Sequence, residues 1–494
     1  MTPLKKLAGQ TAIYGLPSIV GRLLNYLLVP LHTGVFLPER FGVITEMYAY
    51  VAFLVVILTY GMETAYFRFQ SKEGANHQRV FSTALVSLIL STCVFWVVTT
   101  VFSQNIAEGI NYPDNSEFVV WFAFIVGMDA ISSIPMARLR VEGKAVRFAL
   151  INFANILVNI GLNLFWLSYC LPHFEAGNSN WLINMLYTPE IGVGYVFIAN
   201  LLASGVKFLL LSPVVFKIRF AVDRSLLKEM LIYGSPLLIS SIAIIVNESA
   251  DKILLKWLLL DELGTDAATK EVGIYGACYK LSIIISLFIQ AFRYAAEPFF
   301  FSQEKEKNSK EVYATIMNYF VLVCATIFLG VMLYLDVLKH FLGNEAYWEG
   351  LHIVPILLFA NIFLGIFYNL SVWYKLSGKT QYGAIIASLG ALITLVLNLI
   401  LIPQIGYTGS AWATLVCYAS MVIISYHLGQ KHFPISYSLK KVIGYLSLAL
   451  IAYSIANQIK VENEILKYVI HTFILISFIG VAFVLEKPKK AIIS

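Results

Sequence analysis

The sequence contains few charged residues, few cysteines and no recognisable catalytic motif. Asp, Glu, Lys and Arg make up 13% of its 494 residues, whereas soluble domains have about 25%. The five cysteines and eight histidines are scattered without paired spacing, which argues against a disulfide framework and a metal site. A nucleophile elbow, a phosphate-binding glycine loop and a zinc signature are all missing. These absences argue against a soluble enzyme, and we expect no cofactor.

Long apolar runs take the place of charge. Hydrophobic residues make up 59% of the chain, and its mean hydropathy is +0.76. Roughly 20 apolar residues let a helix cross the hydrocarbon core of a bilayer. We therefore predict an all-α polytopic membrane protein with about 14 transmembrane helices. The predicted spans are 12–36, 41–66, 80–103, 118–140, 147–170, 192–216, 228–260, 273–301, 312–335, 351–375, 382–402, 406–428, 441–458 and 465–485.

Several segments of the chain occur twice. The repeated segments, in pairs, are Ile13–Pro17 and Ile232–Pro236, Phe41–Ile44 and Val272–Tyr275, and Gly143–Lys144 and Gly378–Lys379. Duplication in an apolar chain is typical of transporters, which bind substrate where two similar halves face each other. The offset between copies grows from 219 to 235 residues. This growth predicts an extra loop near Asp261 to Glu271.

Six helices per repeat would give both repeats the same orientation, because six is even. The repeats are then related by an axis along the membrane normal and enclose a cleft between them. We predict an N-lobe over residues 1–220 and a C-lobe over residues 221–432. A peripheral helix pair and a tail are predicted over residues 433–494.

The distribution of Lys and Arg orients the predicted bundle. If the amino terminus is cytoplasmic, 25 of the 35 cations lie at cytoplasmic helix ends, 5 lie outside and 5 lie within spans. Cytoplasmic loops of membrane proteins carry such an excess. We therefore predict a multi-pass protein of the bacterial inner membrane with both termini in the cytoplasm. The charges form short collars and not one patch, which argues against nucleic acid as a partner.

Polar residues within the first predicted span form one stripe. Arg22, Asn25 and Tyr26 follow Ser18 at helical spacing. Charged side chains are costly in a membrane and usually face a cavity or a partner. We predict that these three residues bind substrate. The alternative is that Arg22 caps carbonyl groups freed by a proline kink.

The seventh and eighth spans also carry charges. Asp251, Lys252 and Lys256 share an arc of roughly 140° with Glu248, at 100° per residue. Binding of substrate and a self-neutralised structural cluster are equal alternatives for this group. Tyr279 and Lys280 follow in the eighth span, and we predict that they too contact substrate. The predicted gating positions, where proline bends a helix, are Pro17, Pro30 and Pro236.

Four segments resemble a known family. In the first half they are Arg22-Leu-Leu-Asn25-Tyr-Leu-Leu-Val-Pro30-Leu-His-Thr33 and Pro38-Glu39-Arg40-Phe-Gly42. In the second half they are Ser249-Ala-Asp251-Lys252-Ile-Leu-Leu and Val272-Gly-Ile-Tyr-Gly-Ala-Cys-Tyr279-Lys280-Leu. The chain is similar to bacterial oligosaccharide-lipid flippases of the Wzx type. Their superfamily also holds MATE multidrug transporters and lipid II flippases. The resemblance implies a V-shaped bundle whose cleft opens alternately to each side of the membrane.

The resemblance also implies the substrate, a glycan linked to undecaprenyl pyrophosphate that moves to the outer leaflet. Pyrophosphate requires cationic partners, for which Arg22, Lys252 and Lys280 are the candidates, with Lys256 in reserve. Asn25, Tyr26, Tyr48 and Tyr279 are the candidate sugar contacts. Membrane lipids, a polysaccharide polymerase and glycosyltransferases are the further partners expected for such a protein.

Other functions remain as alternatives. Lipid II flippases share a cationic cleft and are the closer rival. MATE transporters carry an acidic residue in the first helix, whereas this chain has no carboxylate before Glu39. A membrane-embedded glycan polymerase or ligase would need catalytic charges in a large outer loop. The longest predicted outer loop, Leu171 to Ile191, has no Arg or Lys. Coupling to a proton or sodium gradient is left open.

Overall fold

The computed structural model describes residues 20–74, 76–216, 222–303, 306, 308–459 and 461–486. Within these ranges the chain forms helices and turns, and it contains no β-strand. Helices suit apolar runs in a bilayer because each backbone N–H finds its acceptor within the same segment. The predicted all-α membrane fold is thereby confirmed.

The main helices are named α1 to α14 in chain order. α1 comprises residues 20–26 and Val29–Val35. The others are α2 Pro38–Gln70, α3 His77–Val101, α4 Ser116–Val141, α5 Ala145–Glu175, α6 Gly194–Val215, α7 Arg224–Leu263, α8 Thr265–Gln303, α9 Ser309–Leu333, α10 Glu345–Leu376, α11 381–404, α12 407–432, α13 Leu439–Gln458 and α14 Glu464–Leu485.

Helices α11 and α12 form a hairpin within one long helical stretch, Gln381–His432. Its 52 residues would extend about 78 Å as a straight helix, far more than the roughly 30 Å core of a bilayer. The backbone leaves the helical region at Ile405 and Gly406. The thiol of Cys417 lies 3.3 Å from the carbonyl oxygen of Gly390, so the two arms run antiparallel. The predicted spans divide at this point too.

Twelve helices in the described residues are long and apolar enough to span a membrane, with Gln381–His432 counted once. The predicted first span, 12–36, begins outside the described residues. A total of about fourteen crossings therefore stays a prediction, as do the lobe boundaries.

The predicted loop near Asp261 to Glu271 is wrong. α7 continues to Leu263, and α8 begins at Thr265. Gly264 alone separates them, in the left-handed region at φ +76° that glycine adopts without strain. The additional residues of the second repeat therefore lengthen two helices.

The prolines differ in their local effects. Pro17 lies outside the described residues. Pro30 follows a turn at residues 27–28 that interrupts α1, as expected because its ring nitrogen cannot donate to the carbonyl of Tyr26. α7 is helical through Pro236. There the Ser235 hydroxyl donates to the Ile232 carbonyl at 3.3 Å, which satisfies the acceptor that proline leaves unpaired. A gating role for these positions stays a prediction.

The repeated Phe41 and Val272 segments bring the two lobes together. A Cβ atom added at Gly42 would lie 1.9 Å from the carbonyl oxygen of Thr269. A Cβ atom added at Gly273 would lie 1.9 Å from the carbonyl oxygen of Pro38. Gly42 thus packs on the carbonyl of Thr269, four residues before Gly273. Gly273 packs on the carbonyl of Pro38, four residues before Gly42. This reciprocal contact makes α2 and α8 the central crossing of the molecule.

Contacts at both ends of α2 close the lobes against each other. At the end that the charge count predicts to be outer, the Tyr347 hydroxyl donates to the Phe36 carbonyl at 2.6 Å, and Gly343 N donates to Thr33 Oγ1 at 2.9 Å. We call this closure, together with the α2–α8 glycine crossing, the outer seam. At the opposite end, Gly61 of α2 lies against the backbone of Gly234 in α7. We call this contact the inner seam.

The last two helices pack on the outside of α9. The Tyr334 and Thr472 hydroxyls are hydrogen-bonded at 2.6 Å. His471 Nδ1 donates to the Leu333 carbonyl at 2.6 Å. α14 also exposes a stripe of large apolar residues at helical spacing, which suits contact with lipid. The stripe consists of Ile465, Val469, Phe473 and Ile476.

Candidate substrate-binding cavity

A cavity of about 740 Å³ lies between the two lobes. Its walls come from α1, α2, α5 and α6 on one side and from α7, α8 and α10 on the other. This is the position that the duplication predicts for a substrate site. Its volume falls within the range of about 300–1,000 Å³ found for ligand pockets. The two walls differ sharply in chemistry.

The N-lobe wall is rich in carboxamides. Asn155, Asn159 and Asn163 are spaced by four residues, so they lie on one face of α5, and all three line the cavity. Asn159 Nδ2 donates to Asn25 Oδ1 of α1 at 3.3 Å. His32 Nε2 donates to Asn163 Oδ1 at 2.8 Å. These bonds join α1 to α5 and hold amide donors and acceptors along the wall.

The C-lobe wall carries cations. Lys252 of α7 and Lys280 and Arg293 of α8 line the cavity, accompanied by one carboxylate, Glu248. With Arg22 from α1, the lining has four cations and one carboxylate, a net formal charge of +3. An anionic ligand would be attracted to this wall, and the interaction is strengthened where water is scarce.

Lys252 is held in place by its own helix and by α8. Its ammonium group donates to the Glu248 carbonyl at 2.8 Å and to Asp251 Oδ1 at 3.0 Å. It also lies 4.6 Å from the centre of the Tyr279 ring, a cation–π distance. The Tyr275 hydroxyl donates to the other Asp251 oxygen at 2.5 Å. The cation is therefore oriented before any ligand arrives.

Arg22 differs from Lys252 in having no fixed partner. It lines the cavity and is exposed, and it makes no hydrogen bond or ion pair with another residue in the described ranges. Tyr26, one turn further along α1, stacks on Phe341 with ring centres 4.6 Å apart. Arg22 thus retains all its donors for a ligand, whereas Tyr26 is packed between the lobes.

Two of the predicted substrate-binding residues do not line the cavity. Asp251 is 2% exposed and faces Tyr275 in α8. Lys256 lies two turns beyond Glu248 toward the outer end, where the lobes are closed, and is 1% exposed. It pairs with Glu46 of α2 at 3.0 Å. The four residues do share one arc of α7, but their side chains have three different environments: the cavity, the contact with α8, and the closed outer end.

Comparison with known proteins identifies the family. Residues 35–350, more than half of the chain, match the family described as polysaccharide biosynthesis protein. The chain belongs to this family. A search of curated proteins finds no match.

Two solved structures illustrate the fold that this chain shares with known transporters. A lipid II flippase, MurJ, in an inward closed conformation has a TM-score of 0.73 at 12% identity, covering 95% of this chain and 98% of that one. An inward-facing MATE multidrug resistance transporter of the MOP superfamily has a TM-score of 0.58 at 14% identity, covering 90% and 96%. At these identities the likeness concerns the fold. It confirms the predicted MATE-like fold.

Sequence reasoning missed several lining residues of this polysaccharide biosynthesis protein. The asparagines of α5 are uncharged, so the cost of a charge in the membrane does not distinguish them, although they recur every four residues. Arg293 is one of the 25 cations that the predicted topology places at cytoplasmic helix ends. In the structure it lies on the cavity wall, with its guanidinium 3.9 Å from the centre of the Tyr368 ring. The charge count could not distinguish a rim position from one in the wall. The other missed lining residues include His32, Asn200, Gln290 and Asn361.

Proposed function

We propose that the protein moves an oligosaccharide linked to polyprenyl pyrophosphate from the inner to the outer leaflet of the bacterial inner membrane. The glycan would be a repeat unit of O-antigen, capsule or exopolysaccharide. The observation that carries the proposal is the pairing of an amide wall with a cationic wall around one cavity between two lobes. Membership of the polysaccharide biosynthesis family supports it.

The cationic wall suits the pyrophosphate. Phosphate oxygens bind most strongly to donors that carry charge, and an arginine can hold two of them at once. Arg22, Lys252 and Lys280 are the proposed partners, from three helices and both lobes. Arg293 adds a fourth cation on the same wall as the lysines.

The amide wall suits the sugar. Each asparagine offers two donors and an acceptor with two lone pairs, which match the hydroxyl groups of a glycan. Asn25, Asn155 and Asn159 are the proposed sugar contacts, together with Tyr279 on the opposite wall. The polyprenyl chain would remain in the bilayer, because transfer of its apolar surface into a polar cavity is unfavourable.

Movement between leaflets requires the two seams to open in turn. The cavity lies between the outer seam and the inner seam, so alternate separation of the lobes would expose it to each side. We propose this transport cycle in place of an enzymatic reaction, as the family and fold are those of transporters. Contacts with a polymerase and with glycosyltransferases, and coupling to a proton or sodium gradient, remain hypotheses.

The experiment compares cells that lack the gene with the same cells carrying an intact copy. Cells without the protein should accumulate the lipid-linked repeat unit and lose surface polysaccharide. The intact gene should restore surface polysaccharide, measured by antibody or lectin binding to whole cells. Unchanged surface polysaccharide in a strain that makes the repeat unit but lacks this protein and any second flippase would refute the proposal.

Transport of lipid II is the second candidate, favoured by the similarity of the fold to MurJ. Lipid II also carries a sugar on a polyprenyl pyrophosphate, so the cavity suits both substrates. The two are distinguished in a strain whose lipid II flippase can be depleted. Rescue of growth on depletion would favour lipid II. Rescue of surface polysaccharide alone would favour the repeat unit.

A further inference from the structure

We infer that Lys256 of the C-lobe and Glu46 of the N-lobe form a latch that holds the outer seam closed and must separate when this end opens. The inference rests on the proposed alternating access, but it concerns residues outside the cavity. It assigns a function to two charges that the substrate-binding proposal leaves unused.

The Lys256 ammonium group binds only to the opposite lobe among the described contacts. It donates to Glu46 Oε2 and to the Ile110 carbonyl, each at 3.0 Å. It lies 3.7 Å from the centre of the Tyr112 ring. Glu46 belongs to α2, and the other two residues belong to the connection between α3 and α4. α7 thus inserts its lysine into a socket built entirely by the N-lobe.

Hydrogen bonds within the N-lobe hold the Glu46 carboxylate in position to pair with this cation. The Tyr112 hydroxyl donates to Glu46 Oε2 at 2.5 Å, and the Tyr50 hydroxyl donates to Oε1 at 3.1 Å. Trp257, next to Lys256 on α7, donates to the Tyr50 hydroxyl at 2.8 Å. Both charged side chains are almost completely buried, at 0% and 1% exposure. The carboxylate therefore has two hydroxyl donors within its own lobe and one cation from the other.

This pair differs from the other ion pairs of the described residues. Lys207 and Asp129 pair at 3.1 Å within the N-lobe, so lobe movement need not disturb them. Lys72 and Glu229 connect the lobes at the inner end, but they are 3.7 Å apart and both largely exposed. Among the described residues, the pair at Lys256 alone combines complete burial with a position across the lobes.

Burial makes the pair a two-state device. A buried charge left without its partner is strongly disfavoured, so the lobes cannot separate slightly at this point while remaining dry. Entry of water hydrates both groups and removes that restriction. Lys256 and Lys252 are four residues apart on α7, so they lie one helical turn from each other on the same face. After separation from Glu46, Lys256 would be exposed to the cleft beside Lys252. The latch would then add a cation to the cleft on the side where the substrate leaves.

Cysteine labelling tests the latch without any substrate. Thr269→Cys in an otherwise cysteine-free chain places a reporter in the outer seam, where Thr269 is 3% exposed. The protein is purified in nanodiscs, and its rate of reaction with a maleimide is measured. The test variant combines Glu46→Gln with Lys256→Met, so that neither group leaves a lone buried charge. The charge exchange Glu46→Lys with Lys256→Glu and the control Lys207→Met are measured in parallel.

The neutral double variant should label faster by about 5- to 150-fold, the usual range for coupled conformational equilibria. The exchanged pair should label more slowly than the neutral pair, and Lys207→Met should match the parent. Equal rates in the parent and the neutral double variant, with both proteins folded by thermal melting, would overturn the latch. Loss of surface polysaccharide would not decide the matter, since labelling requires no substrate. Failure of the proposed function therefore leaves this result interpretable by itself.

Discussion

Arg22 provides the sharpest test of the cationic cavity. Its side chain lines the cavity, is exposed, and makes no hydrogen bond or ion pair within the described ranges. Removing it should change the free energy of unfolding by no more than about 0.5 kcal/mol, as for other substitutions away from packed features. Any large effect of Arg22→Ala on transport would then reflect a lost contact with substrate.

The size of that effect follows from the proposed contact. A hydrogen bond to a charged group contributes about 1.5–3 kcal/mol, and 1.4 kcal/mol corresponds to a factor of ten. Arg22→Ala should therefore weaken substrate binding by about 10- to 100-fold. Arg22→Lys keeps the charge but loses the planar fork, so it should retain partial function. Arg22→Glu should be at least as severe as alanine, because it would add a second carboxylate to a cavity that already contains Glu248.

The assay is surface polysaccharide in a strain without its own copy, with membrane levels followed by immunoblot. Arg147→Ala is the matched control, because Arg147 is an exposed arginine at the start of α5, away from the cavity lining. Normal surface polysaccharide with Arg22→Glu at wild-type abundance would refute the cationic mechanism.

Three further predictions concern stability and topology. Lys252→Met should lower protein abundance, because it removes the cation from buried Asp251 at a cost of up to about 3–5 kcal/mol. Adding Asp251→Asn should restore the abundance. Full abundance of the Lys252→Met variant would contradict the prediction. Gly42→Ala should destabilise the protein by about 1–3 kcal/mol in thermal melting, whereas Gly161→Ala, where a Cβ meets nothing within 4 Å, should not. Lys144→Cys in a cysteine-free chain should resist an impermeant thiol reagent applied to intact cells; rapid labelling would reverse the assigned orientation.

The sequence was informative about the helices because the bilayer imposes a simple rule on them. Runs of about 20 apolar residues must be helical in lipid, and the division near residue 405 was visible where one run gives way to the next. The repeated segments predicted two facing lobes. The purpose of their glycines was not apparent, since the approach of Gly42 to Thr269 depends on how the helices cross.

The site was less predictable, because membership of a helix face does not determine what the face contacts. Glu248, Asp251, Lys252 and Lys256 share an arc of α7, but only Glu248 and Lys252 line the cavity. Asp251 is buried between Lys252 and Tyr275, and Lys256 pairs with Glu46 of the other lobe. Lys256 finds Glu46, which is 210 residues earlier in the chain. No local pattern in the sequence records such a partnership. The four-residue spacing of the α5 asparagines is visible in the sequence, and it predicts a polar face on that helix.

The contrast between a symmetric crossing and asymmetric walls bears on the type of substrate. α2 and α8 meet through equivalent glycines, so the duplicated framework survives where the lobes pack together. Around the cavity the equivalence is lost, because amides dominate one wall and cations the other. A substrate with uniform chemistry would give no reason for this divergence. A molecule that joins an uncharged glycan to a pyrophosphate presents two different surfaces at once. Each lobe could then hold one of them, and separation of the lobes at either seam would weaken both sets of contacts together.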